Sequence, residues 1–396
     1  MGSKDKLNIL VFVPGDFDEV FVKKVLLPLS QTNGIKMYVI NRPVDLVIDP
    51  LKGFKRLRKS FLNRNIRKDG VNIFLPFVLL NEVIHESLCN WCNINMKILI
   101  WQVKRLIKKE KIESQKLLLW CYHPFHWKVM EEIPAKRKIY EVYDEYCYDQ
   151  KDRLRINVYN AERKMVLFSD EIICSSEKLR EKFQKIVPIE KNLHLISTSA
   201  DYRSFLECSV RKYSPWDIIP KPKLVILGAV RHQTDLMLVE ELALKIPKVS
   251  IVFIGNVLNC KYKNKEFKRL LEEYQNIYHT GFLSYDKVIY CLRSATIGLY
   301  PAKKCRFSTY ANPNRIYEYS AAGIPVVAIN ISRESDFPKS IVVAKYDTEF
   351  ITAVETLVRN GITEHDKEEL IKFAKKHSAT ENVKRYIEVF QNALSG

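Results

Sequence analysis

Short unbroken apolar runs alternate with amphipathic stretches along most of this 396-residue chain. The first, residues 7–13, ends at Pro14-Gly15. A run of that length without polar alternation predicts a strand covered on both faces, as in a parallel sheet, with a helix over 17–31 behind it. Further strands are expected at 36–40, 71–75, 117–121, 138–142, 171–174 and 192–196. Helices are expected between them, including 51–68 and 79–111. The stretch 208–223 carries Pro215, Pro220 and Pro222 and breaks the rhythm, as a linker does. A second series follows at 224–227, 250–254, 277–280, 295–300, 326–329 and 340–343. The chain closes on a helix over 381–394 whose apolar face is Val383, Tyr386, Ile387, Phe390 and Leu394. This order predicts an α/β protein with two doubly wound domains. Their expected limits are 1–207 and 223–378, with a linker at 208–222 and a C-terminal helix at 379–396 that packs back on the first domain. In such sheets ligands bind at the carboxyl ends of the strands, so the facing loops of both halves should form a cleft.

Composition leaves the class unchanged, since 47% hydrophobic and 28% charged residues are those of a globular protein. Charge adds to the picture. Lys and Arg number 64 against 46 Asp and Glu, a net charge of +18, which points to an anionic partner. Residues 51–112 hold 14 Lys/Arg and 4 Asp/Glu. Within them Leu51, Phe54, Leu57, Phe61 and Leu62 recur near helical spacing among Lys52, Lys55, Arg56, Arg58 and Lys59. Such a helix either lies on an anionic membrane surface or packs on its own domain with a solvated basic face. No recognised nucleic-acid motif accompanies the charge, so nucleic acid is not expected as a partner.

The nine cysteines are scattered and mostly lie in apolar runs, which fits reduced buried thiols in a cytoplasmic protein. Cys89-x-x-Cys92 lacks a second pair at zinc spacing. No carboxylate cluster and no D-x-D suggests a metal, so neither metal nor cofactor is expected. No signal peptide and no membrane-spanning run is seen, and the chain reads as soluble, with contact at the inner face of the membrane left open.

Candidate chemistry gathers at strand ends. Asn312-Pro-Asn314-Arg315-Ile316-Tyr-Glu318-Tyr-Ser-Ala-Ala-Gly323-Ile-Pro-Val-Val reads as a loop, a helix stopping at Gly323, and a buried strand. Arg315 and Glu318 share one helix face. They can hold a phosphate and a ribose diol, or form an i,i+3 surface pair. Asp144 and Glu145 follow the strand 138–142, where a carboxylate can act as base, or can merely form an acidic turn or cap a helix. His123 and His126 follow another strand; each can be a base, bind phosphate, or be structural. Pro14-Gly15-Asp16 forms a tight turn whose N–H groups can approach a pyrophosphate.

The stretch 312–328 resembles the donor-binding motif of GT-B glycosyltransferases, Pro-x-Lys/Arg-x-x-Glu-Tyr-x-Ala-x-Gly-x-Pro-Val-Val. Gly228-Ala-Val-Arg231, Asp235, the run 247–255, Gly281-Phe-Leu-Ser-Tyr285 and the run 295–301, which includes Tyr300, are similar to the rest of that family's second domain in order. Trp120-Cys-Tyr-His123-Pro124, Tyr140-Glu-Val-Tyr-Asp144-Glu145, Glu162 and Ser169-Asp-Glu-Ile-Ile-Cys-Ser-Ser176 are similar to a bacterial group of teichuronic-acid and xanthan-type surface-polysaccharide enzymes. The resemblance implies a GT-B fold: an acceptor-binding Rossmann-like domain facing a nucleotide-sugar-binding one. It also implies a metal-independent hexosyltransferase, moving sugar from a nucleotide diphosphate to a lipid-linked glycan acceptor, as in capsule synthesis. Asp144 then matches the base, with Glu145 and His123 as further catalytic candidates. Gly15, Gly228, Arg231, Tyr300, Asn314, Arg315, Ile316 and Glu318 are the donor-binding candidates, Glu318 on the ribose and Arg231 on the diphosphate. Three positions depart from the family pattern: Tyr310 stands where retaining members have Glu, Ser197-Thr-Ser-Ala-Asp201 replaces Asn-Gly-Val-Asp, and Ser294-Ala-Thr296 lacks the Asp before the Ile-Gly-Leu strand. A GT-B-fold epimerase, or a non-catalytic or nucleic-acid-binding protein using the basic surface, are the alternatives.

Overall fold

The computed structural model describes residues 7–15, 17, 23–45, 65–78, 89–149, 151–188, 191–258 and 261–395. Eight strands form the first sheet: β1 (Leu7–Phe12), β2 (Ile35–Ile40), β4 (Asn65–Lys68), β5 (Val71–Phe74), β7 (Leu117–Cys121), β8 (Arg137–Val142), β9 (Glu171–Cys174) and β10 (Asn192–Leu195). They run in the order β10-β9-β8-β7-β1-β2-β5-β4. All pairs are parallel except β4 with β5. Two short strands, β3 (Val44–Asp45) and β6 (Phe77–Val78), pair apart from it. The predicted basic helix 51–68 is corrected at its end, because Asn65–Lys68 is a strand turning back on β5 through Asp69 and Gly70, both at positive φ. The rest of that helix, 51–64, lies outside the described residues.

The second sheet contains β11 (Lys223–Leu227), β12 (Ser250–Ile254), β13 (Ile277–His279), β14 (Ile297–Pro301), β15 (Val326–Ile329) and β16 (Ile341–Ala344), all parallel, in the order β13-β12-β11-β14-β15-β16. Each sheet is covered on both faces, which is why its strands read as unbroken apolar runs. In β1, Leu10 and Phe12 enter one core while Ile9 and Val11 enter the other. The segment between the sheets is no loose tether. Trp216 is wholly buried in the second domain's core, and its indole donates to Ser294 Oγ at 2.7 Å.

The helix Ala379–Ser395 crosses back to the first domain. Val383, Tyr386, Val389 and Phe390 pack into that domain's core, with the Tyr386 ring 5.1 Å from Trp120. Tyr386 and the Trp120 indole both donate to Glu141, at 2.6 and 2.9 Å. Burial pushes the Glu141 carboxyl up to about 8.

One irregularity shapes the second domain. β11 and β14 pair only at Leu224 with Ile297 and Val225 with Gly298. Beyond that point the Tyr319 hydroxyl takes over the pairing: it accepts from Leu227 N at 2.8 Å and lies 3.1 Å from the carbonyls of both Val225 and Leu299. Gly298 is required there, since a Cβ would overlap the Tyr319 ring. Tyr319→Phe should leave a buried N–H unpaired and cost about 1–3 kcal/mol. A thermal midpoint equal to wild type would contradict this role.

Candidate functional site

The order of each sheet reverses beside its first strand, at β1/β7 and at β11/β14, and the crevice of such a sheet opens at that point. The carboxyl edges of the two sheets meet there in a cleft of about 510 Å³. The first domain contributes Pro14 after β1, Tyr143 and Asp144 after β8, and Thr198 after β10. From the second come Arg231, Gln233 and Thr234 after β11, residues 300–302 at the end of β14, and residues 312–315 leading into the helix Asn314–Ala321.

Asp144 faces the cleft across from Arg231. Burial pushes its carboxyl up to about 6, while the Arg231 charge draws it back. A carboxylate in that range holds and releases a proton near neutral pH, as a base must.

Arg315 is placed by a glycine. Gly228 follows β11 at φ +105°, and any Cβ there would overlap the Arg315 guanidinium. The close approach lays that charge on the floor of the cleft. The helix behind it begins at Pro313, which supplies no side-chain cap, so its positive end opens toward the same space. Side-chain oxygens of Gln233, Asn312 and Asn314 are buried there without hydrogen-bond partners. The sequence offered no signal for Gln233, because a lone amide in a loop carries no pattern, and Asn312 heads the donor-like motif without a role assigned to it there.

Glu318, one turn beyond Arg315, meets Lys24 of the helix Lys23–Ser30 at 3.8 Å, so this pair bridges the two domains. The Tyr285 phenol lies close enough to feel it, its pKa raised by burial and by the Glu318 charge. Tyr300 ends β14 in the cleft wall, its phenol raised by burial against the opposing charge of Arg315.

Other candidates fall elsewhere. Glu145 is 1% exposed and lies outside the cleft. It joins Glu162 and Cys147 around the Lys182 ammonium, at 2.8 Å from Glu145 and 2.7 Å from Glu162. An ammonium thus takes the place that a metal ion would have between those carboxylates. Ile316 is wholly buried in the second core, below the helix rather than in the cleft. Gly15 accepts from Arg42 N at 3.2 Å, and its neighbour Pro14 rather than Gly15 lines the cleft. His123 accepts from Phe125 N through Nδ1 at 3.3 Å, and with His126 and Arg42 it lines a small side pocket that shares Pro14 with the cleft. Tyr310 packs against the first domain's core, and its carbonyl accepts from Ser176 Oγ at 2.7 Å. Asn312 also donates to Ser175 O at 3.0 Å, so this loop joins the two domains beside the cleft.

The fold is GT-B, two Rossmann-like domains facing a cleft. Residues 221–360, which hold Arg231, Arg315 and Glu318, match the family model "Glycosyl transferases group 1". The chain is similar to the "Putative teichuronic acid biosynthesis glycosyltransferase TuaH" of Bacillus subtilis (strain 168), 26% identical over 215 residues. That match spans about half of each protein, 52% of both. Among solved structures, sucrose-phosphate synthase from Thermosynechococcus elongatus superposes with a TM-score of 0.72 at 11% identity, over 98% of this chain and 100% of that one. Anabaena HepE in complex with UDP-glucose gives 0.67 at 11% identity, over 97% and 99%. Among the described residues no helix is long and apolar enough to cross a membrane.

Proposed function

We propose that this protein transfers a sugar from a nucleotide-diphosphate donor to a hydroxyl of a glycan acceptor. One observation carries the reading: Asp144 of the first domain and Arg231 and Arg315 of the second are brought to the walls of one cleft. Asp144 takes the proton of the acceptor hydroxyl as its oxygen forms the new bond to the sugar's anomeric carbon. The bond from that carbon to the diphosphate breaks, and the negative charge developing on the leaving group is met by Arg231, Arg315 and the open end of the Asn314–Ala321 helix. Such fixed donors act without reorganising and need no resident metal in this scheme. Glu318 holds the ribose hydroxyls, and the unpartnered amide oxygens of Gln233 and Asn314 are further acceptors for the donor. The match to TuaH supports a role in bacterial surface-polysaccharide synthesis; in this reading the acceptor is lipid-linked and is reached from the inner face of the membrane.

The test is a thermal-shift panel of UDP-, GDP- and ADP-sugars, since a ligand at 100 times its Kd adds about 2.7 kcal/mol of stability. At least one member should raise the midpoint, and wild-type protein should release nucleoside diphosphate from it when acceptor is supplied. A flat panel would overturn the donor assignment. With the stabilising nucleotide in calorimetry, Glu318→Gln should lose about 1.5–3 kcal/mol of affinity with folding retained, as a charged hydrogen bond is removed. Unchanged affinity would rule the ribose role out.

A further inference from the structure

The helix Cys89–Lys109 has two unlike faces. Met96, Leu99, Ile100, Val103 and Leu106 are buried in the core on one side of the first sheet. On the opposite face Ile94 and Trp101 are 41% and 52% exposed. They lie seven residues apart, and Lys108 extends their line by seven more, a span of about 21 Å. Lys97 and Lys104 flank the line on one side, Arg105 and Lys109 on the other, all exposed. The Arg105 guanidinium sits 5.7 Å from the centre of the Trp101 ring.

Among the described residues, acids do not balance this face. Glu110 at its end is turned toward Lys36 and Tyr38, at 3.3 and 3.0 Å. Lys104 reaches Glu132 of the next helix at 3.2 Å, an exposed pair of little energetic weight. Cations spaced three and four apart repel one another along a helix, so the arrangement favours an anionic surface laid against it. An indole beside those cations suits the headgroup level of a bilayer, where Trp places its apolar body inward and its N–H outward.

We propose that this face docks on an anionic lipid bilayer, with Ile94 and Trp101 entering the interface and Lys97, Arg105 and Lys108 meeting headgroups. The inference deepens the transferase reading, resting on it for the lipid-linked acceptor. Leu99 of the same helix lines the side pocket beside His123. The helix thus runs beside that pocket with its buried face inward and the docking face turned outward.

The test uses the full chain and no sugar nucleotide, so its outcome is independent of catalysis. Co-flotation is measured with vesicles of phosphatidylcholine alone and with about one third phosphatidylglycerol. Wild type should float only with the anionic vesicles and leave them in 1 M salt, where screening shortens to about 3 Å. Each cation near such a surface contributes about fivefold, so a Lys97→Gln, Arg105→Gln, Lys108→Gln triple variant should partition about 100-fold more weakly. Trp101→Ala should weaken binding while its circular dichroism and nucleotide affinity match wild type. Equal flotation with neutral lipid, or a triple variant that floats like wild type, would overturn the proposal. So would a wild type that ignores anionic vesicles yet binds duplex DNA through the same three cations.

Discussion

Replacing Asp144 by Asn is expected to lower transfer by about 10²–10⁴, the range attributed to general-base assistance, while donor affinity stays close to that of wild type. Asn keeps the size of the side chain and removes its capacity to accept a proton. The pH profile offers a second readout. Burial raises this carboxyl to about 6, so it is protonated and inactive as a base below that value. Wild-type turnover should therefore rise through about pH 6. Any residual turnover of Asp144→Asn should lack that limb. Bound donor adds negative charge beside the carboxylate, which shifts the limb upward in kcat relative to kcat/KM. Turnover of Asp144→Asn equal to wild type would remove the assignment and turn attention to His123 at the neighbouring pocket.

Arg315→Ala is expected to slow transfer by about 10²–10³, as for the loss of one fixed donor to a developing anion. Gly228→Ala should act in the same direction without removing the charge, because its methyl group displaces the guanidinium and strains a backbone at φ +105°. The two variants together separate charge from position. If Gly228→Ala retains wild-type turnover, the guanidinium works from a displaced position and its present placement is immaterial. Nucleotide affinity, read by calorimetry, should fall in both, since Arg315 meets the diphosphate before and during transfer.

Much of the architecture was legible because both sheets are covered on both faces. Full burial turns a strand into an unbroken apolar run, and 117–121, 171–174, 250–254 and 326–329 begin and end where the runs do. The helix Asn314–Ala321 was readable from Pro313 before it and Gly323 after it. Asn65–Lys68 misled, because a basic edge strand whose polar side faces water resembles the end of an amphipathic helix. Only its antiparallel pairing with β5 distinguishes the two.

Within the site, the local pattern could place Asp144 and Glu145 at a strand end but could not tell their roles apart. Adjacent side chains there point to different surroundings. One meets the cleft and Arg231, and the other meets Lys182, 37 residues further on. Arg315 and Glu318 share a helix face by spacing alone, yet their partners are Gly228 and, in the other domain, Lys24. Tyr319 reads as one more aromatic in a motif until β11 and β14 separate and leave Leu227 N for its hydroxyl. Periodicity along the chain decides which side of each element is buried, since burial follows from the free energy of removing apolar surface from water. Which distant charge or hydroxyl meets a given side chain depends on how the elements are brought together. In this protein that packing decides which carboxylate faces the cleft, and hence which acid can act as the base.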